Sequence, residues 1–124
     1  MGNAMREYQV ISADSHVVEP PDLWKIWLDS KYQDNAPKLV KDPDGGDAWL
    51  YDAKGKPEPL GLVTVVGRKF EEFGWTGVRY GQEIHPSCYE GPSRLQILDQ
   101  DGVDAELLYP PMRAIATFMG YADK

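Results

Sequence analysis

The sequence predicts an α/β fold, and three segments carry this prediction. Residues 8–13 contain the adjacent apolar residues Val10 and Ile11, which is typical of a strand buried on both faces. Residues 92–102 open with a Pro-Ser pair and end on a glycine, as helices commonly do. Residues 103–109 form a second apolar run, closed by two prolines. Together they outline a βαβ unit whose two strands are parallel and adjacent.

A short helix is predicted at residues 23–28, soon after the first strand. Two prolines and an aspartate precede it, and both residue types favour the first turn of a helix. Trp24 and Trp27 lie at helical spacing within it. That spacing favours packing of the two indoles in a core over stacking on a substrate.

A long insertion, about residues 32–91, separates this helix from the second half of the βαβ unit. Residues 48–52 and 60–66 are apolar runs joined by a tip with two prolines, which predicts a β-hairpin. Residues 32–47 and 67–92 lack a clear period, so we expect loops there. Irregular stretches of this length are usually functional or supported by their neighbours.

Composition restricts the class of partner. The chain has 124 residues and a formal net charge of −7, which disfavours binding to nucleic acid or to an anionic membrane. No apolar run approaches the roughly 20 residues that span a bilayer, and the N-terminus lacks the apolar stretch of a signal peptide. A single cysteine excludes an intrachain disulfide and fits a reducing compartment. We therefore expect a cytoplasmic protein, with a flexible N-terminal extension at residues 1–7.

Asp14 and His16 are the candidate metal ligands. They lie two residues apart at the carboxyl end of the first predicted strand, and side chains at that spacing point to the same face. A carboxylate and an imidazole there are suitable ligands for a divalent metal such as zinc. An Asp-x-His pattern is short. By itself it is better explained by a strand end whose aspartate starts a turn and whose histidine caps the loop.

Two longer stretches resemble the opening of one enzyme family. They are residues 10–24, VISADSHVVEPPDLW, and residues 94–110, RLQILDQDGVDAELLYP. Both are similar, in this order, to the amidohydrolase-related family. That group of metal-dependent β/α-barrel enzymes contains hydrolases and decarboxylases of the aminocarboxymuconate-semialdehyde type. The resemblance covers both ends of the chain and is weak across the insertion.

The resemblance implies that residues 8–124 are the N-terminal part of a TIM (β/α)8 barrel, with an inserted β-hairpin between the first strand and its helix. A complete barrel has about 250 residues, so the family's later metal ligands have no counterpart here. By resemblance, Asp14 and His16 match the family's first-strand metal pair and would bind a divalent metal, with zinc the first candidate. Many relatives have His-x-His there and some have a carboxylate first, which leaves the metal open.

The resemblance also implies a reaction class. It points to a metal-dependent hydrolase or non-oxidative decarboxylase that acts on a small carboxylated or cyclic organic molecule, and this step is an analogy. A homo-oligomer is one option for the full-length protein. The alternative is a truncated product or an interaction domain without a complete metal site. We expect the 124-residue chain alone to be inactive.

His85 and Cys88 form a second candidate pair. Their spacing would allow both to bind zinc, and with Asp14 and His16 they would make a four-ligand site. A loop histidine beside a partly buried thiol is the favoured alternative. No papain-like signature surrounds Cys88, so a nucleophilic role is not expected.

Three further side chains are candidates for binding a substrate carboxylate. They are Arg79, Tyr80 and Arg113. Arginine favours bidentate contacts with carboxylates. Solvated arginine at the surface is the favoured alternative.

Overall fold

The computed structural model describes residues 7–120, so the predicted extension at residues 1–7 lies outside the described part except for Glu7. The elements in chain order are β1 (Ile11–His16), α1 (Leu23–Trp27), β2 (Lys38–Lys41), β3 (Asp47–Leu50), β4 (Glu58–Pro59), α2 (Gly91–Asp101), β5 (Ala105–Tyr109) and α3 (Met112–Met119). Short 3₁₀ helices at Ser30–Asn35, Phe70–Glu72 and Pro86–Cys88 lie in the connections. Within this part of the chain, none of the helices has the length and apolar character needed to cross a membrane.

The first and last strands form the predicted parallel pair. β1 pairs with β5 in parallel, with Ile11 opposite Ala105 and His16 opposite Tyr109. α2 connects back to β5 and ends at Gly102, which has a φ of 69°. Glycine adopts this left-handed conformation without the penalty that a Cβ imposes. The predicted βαβ unit, with its two strands parallel and adjacent, is therefore confirmed. A two-stranded sheet by itself does not show a barrel.

The first strand begins three residues later than predicted, and it is not buried on both faces. The backbone N–H groups of Gln9 and Val10 donate to Asp104 Oδ2, each at 2.9 Å, instead of pairing with a neighbouring strand. Val10 and Ile11 are 48% and 58% exposed. The faces of a parallel sheet are buried by elements that pack on them, and within residues 7–120 nothing buries Val10 and Ile11.

The insertion folds into a three-stranded antiparallel sheet in the order β2-β3-β4. β3 pairs with β2 along its whole length, and β4 pairs only with Ala48 and Trp49. The predicted hairpin is therefore wrong in its partners: β2 lies in an expected loop, and residues 60–66 form turns instead of a strand.

Local contacts explain why residues 60–66 turn. Thr64 Oγ1 donates a hydrogen bond of 2.7 Å to the Leu60 carbonyl, which a neighbouring strand would otherwise occupy. A Cβ at Gly61 would collide with the carbonyl oxygen of Gly74, so the two backbone segments approach closely here. This tertiary packing outweighs the β-propensity of Val63, Val65 and Val66.

Most of the buried core comes from the insertion. In the part of the chain that the structure describes, its buried members are Val18, Trp49, Tyr51, Leu60, Val78, Ile84, Cys88 and Ala114. Of the two tryptophans predicted to pack, Trp24 does so, against Phe118 at 5.3 Å between ring centroids. Trp27 is 79% exposed, and for it the prediction of core packing is wrong. The insertion thus supplies most of the buried core, while β1 and β5 lie outside it and are largely exposed.

Asp42 ties the turn after β2 to the segment that precedes Val78. Its Oδ1 accepts hydrogen bonds from the N–H groups of Asp44 and Gly46, at 2.9 and 2.8 Å, and its Oδ2 accepts from Gly77 at 2.8 Å. Burial alone would raise the pKa of this carboxyl, but the three backbone donors together lower it below the usual value.

Replacing Asp42 with alanine is expected to lower the free energy of unfolding by about 1–3 kcal/mol, because three backbone N–H donors, that of Gly46 buried, lose their acceptor. Urea denaturation measures the change. Asp52→Ala is the control, since the exposed Asp52 side chain accepts a hydrogen bond from the Lys54 N–H at 2.9 Å and its loss should cost under about 1 kcal/mol. Equal costs for the two variants would show that the Asp42 contacts do not stabilise the fold.

Candidate functional site

Asp14 and His16 converge at the carboxyl end of β1. Asp14 Oδ1 lies 3.2 Å from His16 Nε2, so both side chains extend from the same side of the strand as predicted. Their side chains are 88% and 52% exposed. Both groups are therefore accessible to a ligand from solution.

The face of the sheet opposite Asp14 and His16 carries a polar cluster of Ser12, Ser15, Arg94 and Glu106, and β1 has a bulge there. The pairing with β5 shifts between Ser12 and Ser15, and the two hydroxyl oxygens lie 2.7 Å apart although the residues are three apart. On the same side, Glu106 of β5 forms an ion pair with Arg94 of α2. This ion pair connects α2 to the face of the sheet opposite Asp14.

The face that carries the candidate ligands is open. Leu107 and Tyr109 alternate with Glu106 along β5, so they point away from α2. Both are substantially exposed. Tyr109 lies beside His16, with 5.9 Å between ring centroids. The apolar surface next to the Asp14–His16 pair is thus uncovered in residues 7–120.

A cavity of about 420 Å³ adjoins His16 where β1 ends. Its apolar wall comes from the turns of the insertion and from the start of α3, and includes Leu60, Trp75 and Met112. Its polar groups are His16, Tyr51, Glu58 and Arg113, of which Glu58 and Arg113 form an ion pair. The volume lies within the range of about 300–1,000 Å³ that is usual for small-molecule sites.

A buried carboxyl lies behind the cavity. Tyr51 donates a hydrogen bond of 2.9 Å to Glu19 Oε1, and Tyr80 donates one of 2.7 Å to the Glu19 carbonyl. Glu19 Oε2 is buried and has no hydrogen-bond partner among the described residues. Burial raises the pKa of Glu19 above its usual value, and burial together with the Glu19 charge raises that of Tyr51. Tyr51 therefore remains a neutral phenol at the cavity wall.

Glu19 should make stability depend on pH. Its folded-state pKa is raised, so its contribution is complete below the ordinary pKa of 4.5 and is lost as the pH rises through the folded value. We expect wild type to lose stability relative to Glu19→Gln between pH 4.5 and pH 8, measured by urea denaturation. In the control Glu71→Gln, which changes an exposed residue, the difference from wild type should stay constant. A constant difference for Glu19→Gln as well would contradict the raised pKa.

His85 and Cys88 do not join the Asp14–His16 pair. Residues 7–120 contain no group of three or more histidine, cysteine, aspartate or glutamate side chains placed to hold a metal ion. His85 Nδ1 instead accepts from the Ser87 N–H at 3.1 Å and caps the helix Pro86–Cys88. Cys88 is buried, which raises the pKa of its thiol. Among the described residues, the structure therefore does not bring the four candidate ligands together.

The candidate carboxylate-binding residues separate in space. Arg79 pairs with Glu83 on the surface, and Tyr80 is tied to the Glu19 carbonyl. Arg113 alone of the three lines the cavity.

Glu19, Tyr51 and Glu58 were not predicted as site residues from the sequence. Glu19 lies only three residues after His16, in the stretch that carries the family resemblance, and its proximity was the available signal. Tyr51 and Glu58 lie in the insertion, where no motif indicates a site.

Comparison with known proteins leaves the family undecided. No protein-family model matches the chain, and no curated protein matches it either. The similarity to the amidohydrolase-related family therefore remains a prediction made from two stretches of sequence.

Proposed function

We propose that this chain is the N-terminal part of a metal-dependent β/α-barrel enzyme. The enzyme would be a hydrolase or a non-oxidative decarboxylase of a small carboxylated or cyclic organic molecule. Asp14 and His16 would supply two ligands to a divalent metal, for which zinc is the first candidate. The convergence of Asp14 Oδ1 and His16 Nε2 at the carboxyl end of a parallel strand is the observation that carries the proposal.

The geometry of this pair fits one metal ion. Zinc bonds to carboxylate oxygen and imidazole nitrogen are about 2.0–2.2 Å long, so two tetrahedral ligand atoms lie roughly 3.3 Å apart. The observed separation of Asp14 Oδ1 and His16 Nε2 is 3.2 Å. The same separation is that of a direct ion pair, so both side chains would turn toward a common point to bind a metal.

The open face of the sheet supports a larger structure. A parallel sheet normally has both faces covered and more than two strands. Here Leu107 and Tyr109 remain exposed beside the candidate ligands. Further strands packed on this face would bury them, and would place their own carboxyl ends around Asp14 and His16. Catalytic zinc sites usually have three protein ligands, so at least one more would come from those strands.

A bound metal would polarise a substrate oxygen or lower the pKa of a water molecule. The residues that line the cavity beside His16 would orient the substrate toward the metal position. His16 is one of the two candidate ligands and also lines the cavity. A molecule in the cavity would therefore lie next to the metal position. Active sites of β/α barrels form at this end of their strands.

A non-catalytic interaction domain is the second candidate. It is favoured by the lack of a third metal ligand within residues 7–120. The exposed apolar residues of β5 would then contact a partner protein.

The nucleotide sequence beyond the codon for Lys124 distinguishes the two. An open reading frame that encodes further strand-end histidines and an aspartate would support the enzyme. A stop codon at that position would support the interaction domain.

A further inference from the structure

We infer that two copies of this chain associate through an apolar surface of the insertion, with Phe70 at its centre. The members of this surface, called here the apolar patch, are Leu62, Val63, Val66, Phe70, Phe73 and Trp75, which are 39–81% exposed. The rings of Phe70 and Phe73 lie 5.6 Å apart. Contiguous apolar surface of this kind commonly marks a contact with another macromolecule.

Hydrogen bonds hold the two ends of this segment together. The Gly61 N–H donates to the Trp75 carbonyl at 3.1 Å, so the segment closes on itself. Arg68 Nη1 donates to the Gly61 carbonyl at 3.1 Å, and Arg68 Nη2 donates to the Glu72 carbonyl. The apolar patch is therefore preorganised, which reduces the entropy that a partner would have to overcome.

The charges of the segment favour a second copy of the same chain as the partner. Residues 60–76 contain two bases, Arg68 and Lys69, and two acids, Glu71 and Glu72. The segment is therefore neutral, although the whole chain has a net charge of −7. Two copies that meet here repel each other less than their overall charge would imply.

The order of these charges also suits two-fold symmetry. In a two-fold interface, a contact between two different residues of the partners occurs twice. Lys69 and Glu71 are both exposed and stand on either side of Phe70 in the chain. When the two segments pack antiparallel with Phe70 at the axis, Lys69 of each copy lies opposite the partner's Glu71. The surface is thus complementary to itself.

The parallel sheet does not account for this surface. Strands added to that sheet would pair with β1 or β5, whereas the apolar patch lies in turns between β4 and α2. Leu62, Val63 and Trp75 also line the cavity beside His16. A second copy on the patch would therefore shield this side of the cavity from water.

Sedimentation velocity of the full-length protein, at whichever length its reading frame gives, measures the association. We expect a dimer at micromolar concentration. Phe70→Ser should weaken the dimer at least about 30-fold, because a central aromatic residue is lost from both copies. Trp27→Ser is the matched control, since Trp27 is 79% exposed on α1 and lies outside the patch. This variant should dimerise as wild type does.

Exchange of the two charges tests whether the partner is an identical copy. Lys69→Glu and Glu71→Lys should each weaken the dimer about five- to tenfold, because each change places like charges opposite one another twice. The two changes together should restore the affinity to within about twofold of wild type, since the pairs form again with opposite sign. Recovery of this kind requires both residues to lie at one symmetric interface.

A wild-type protein that stays monomeric at micromolar concentration would overturn the inference, as would a dimer that Phe70→Ser leaves intact. Failure of the charge exchange to restore the dimer would overturn it as well. Urea denaturation verifies that each variant is folded, which the 81% exposure of Phe70 leads us to expect. Metal content separates this inference from the proposed function. A monomer that holds its metal refutes the inference alone, and a dimer without metal refutes the proposed function alone.

Discussion

Replacing Trp49 with alanine is expected to lower the free energy of unfolding by about 3–5 kcal/mol, the cost of removing a large aromatic side chain from a core. Trp49 is 2% exposed and lies on β3, the central strand of the insertion sheet. Its ring stacks on Tyr51 with 6.4 Å between centroids, and its Nε1 donates to Tyr80 Oη at 3.2 Å. The substitution therefore removes apolar contacts and leaves a cavity.

Trp27→Ala is the matched control for this variant. Trp27 is 79% exposed on the short helix α1. Its replacement should change the free energy of unfolding by no more than about 0.5 kcal/mol. Urea denaturation of both variants gives the comparison. A loss of under about 1 kcal/mol for Trp49→Ala would show that the insertion does not hold the core of this chain.

His16→Ala is expected to remove metal and turnover from the protein once it is extended to barrel length. The imidazole supplies one of only a few ligands, and alanine cannot replace it. Elemental analysis measures the metal content. Because His16 also borders the cavity, metal content is the decisive measurement and turnover the supporting one.

His85→Ala is the control for this loss, since the chain has two histidines. His85 caps a 3₁₀ helix through Ser87 and belongs to no metal-binding group among the described residues. The extended His85→Ala protein should therefore keep its metal. Retention of metal in His16→Ala, or its loss in His85→Ala, would contradict the assignment of ligands.

Local signals in the sequence predicted the βαβ part of the fold. The helix α2 has proline near its start and Gly102 at its end, and these residues act through their own backbone preferences. The strand register of the insertion was not predictable in this way. β4 is two residues long and contains Pro59, and its position follows from its pairing with β3, a tertiary contact.

The same distinction applies to the candidate site. Asp14 and His16 are two residues apart, so strand geometry alone brings them together. Glu19 and Tyr51 meet across 32 positions of the chain, and Glu58 meets Arg113 only after the insertion has folded against α3. No spacing rule predicts contacts of this kind, because they depend on how the insertion packs.

Metal content per chain decides whether Asp14 and His16 belong to a larger metal site. Elemental analysis should be made on the 124-residue chain and on the protein extended to barrel length, both purified without added metal. We expect about one divalent ion per extended chain and none tightly bound to the shorter one, which should also be inactive and poorly soluble because its apolar sheet face is uncovered. One tightly bound metal ion per 124-residue chain would contradict the account, since residues 7–120 would then hold a complete site that Asp14 and His16 alone do not provide.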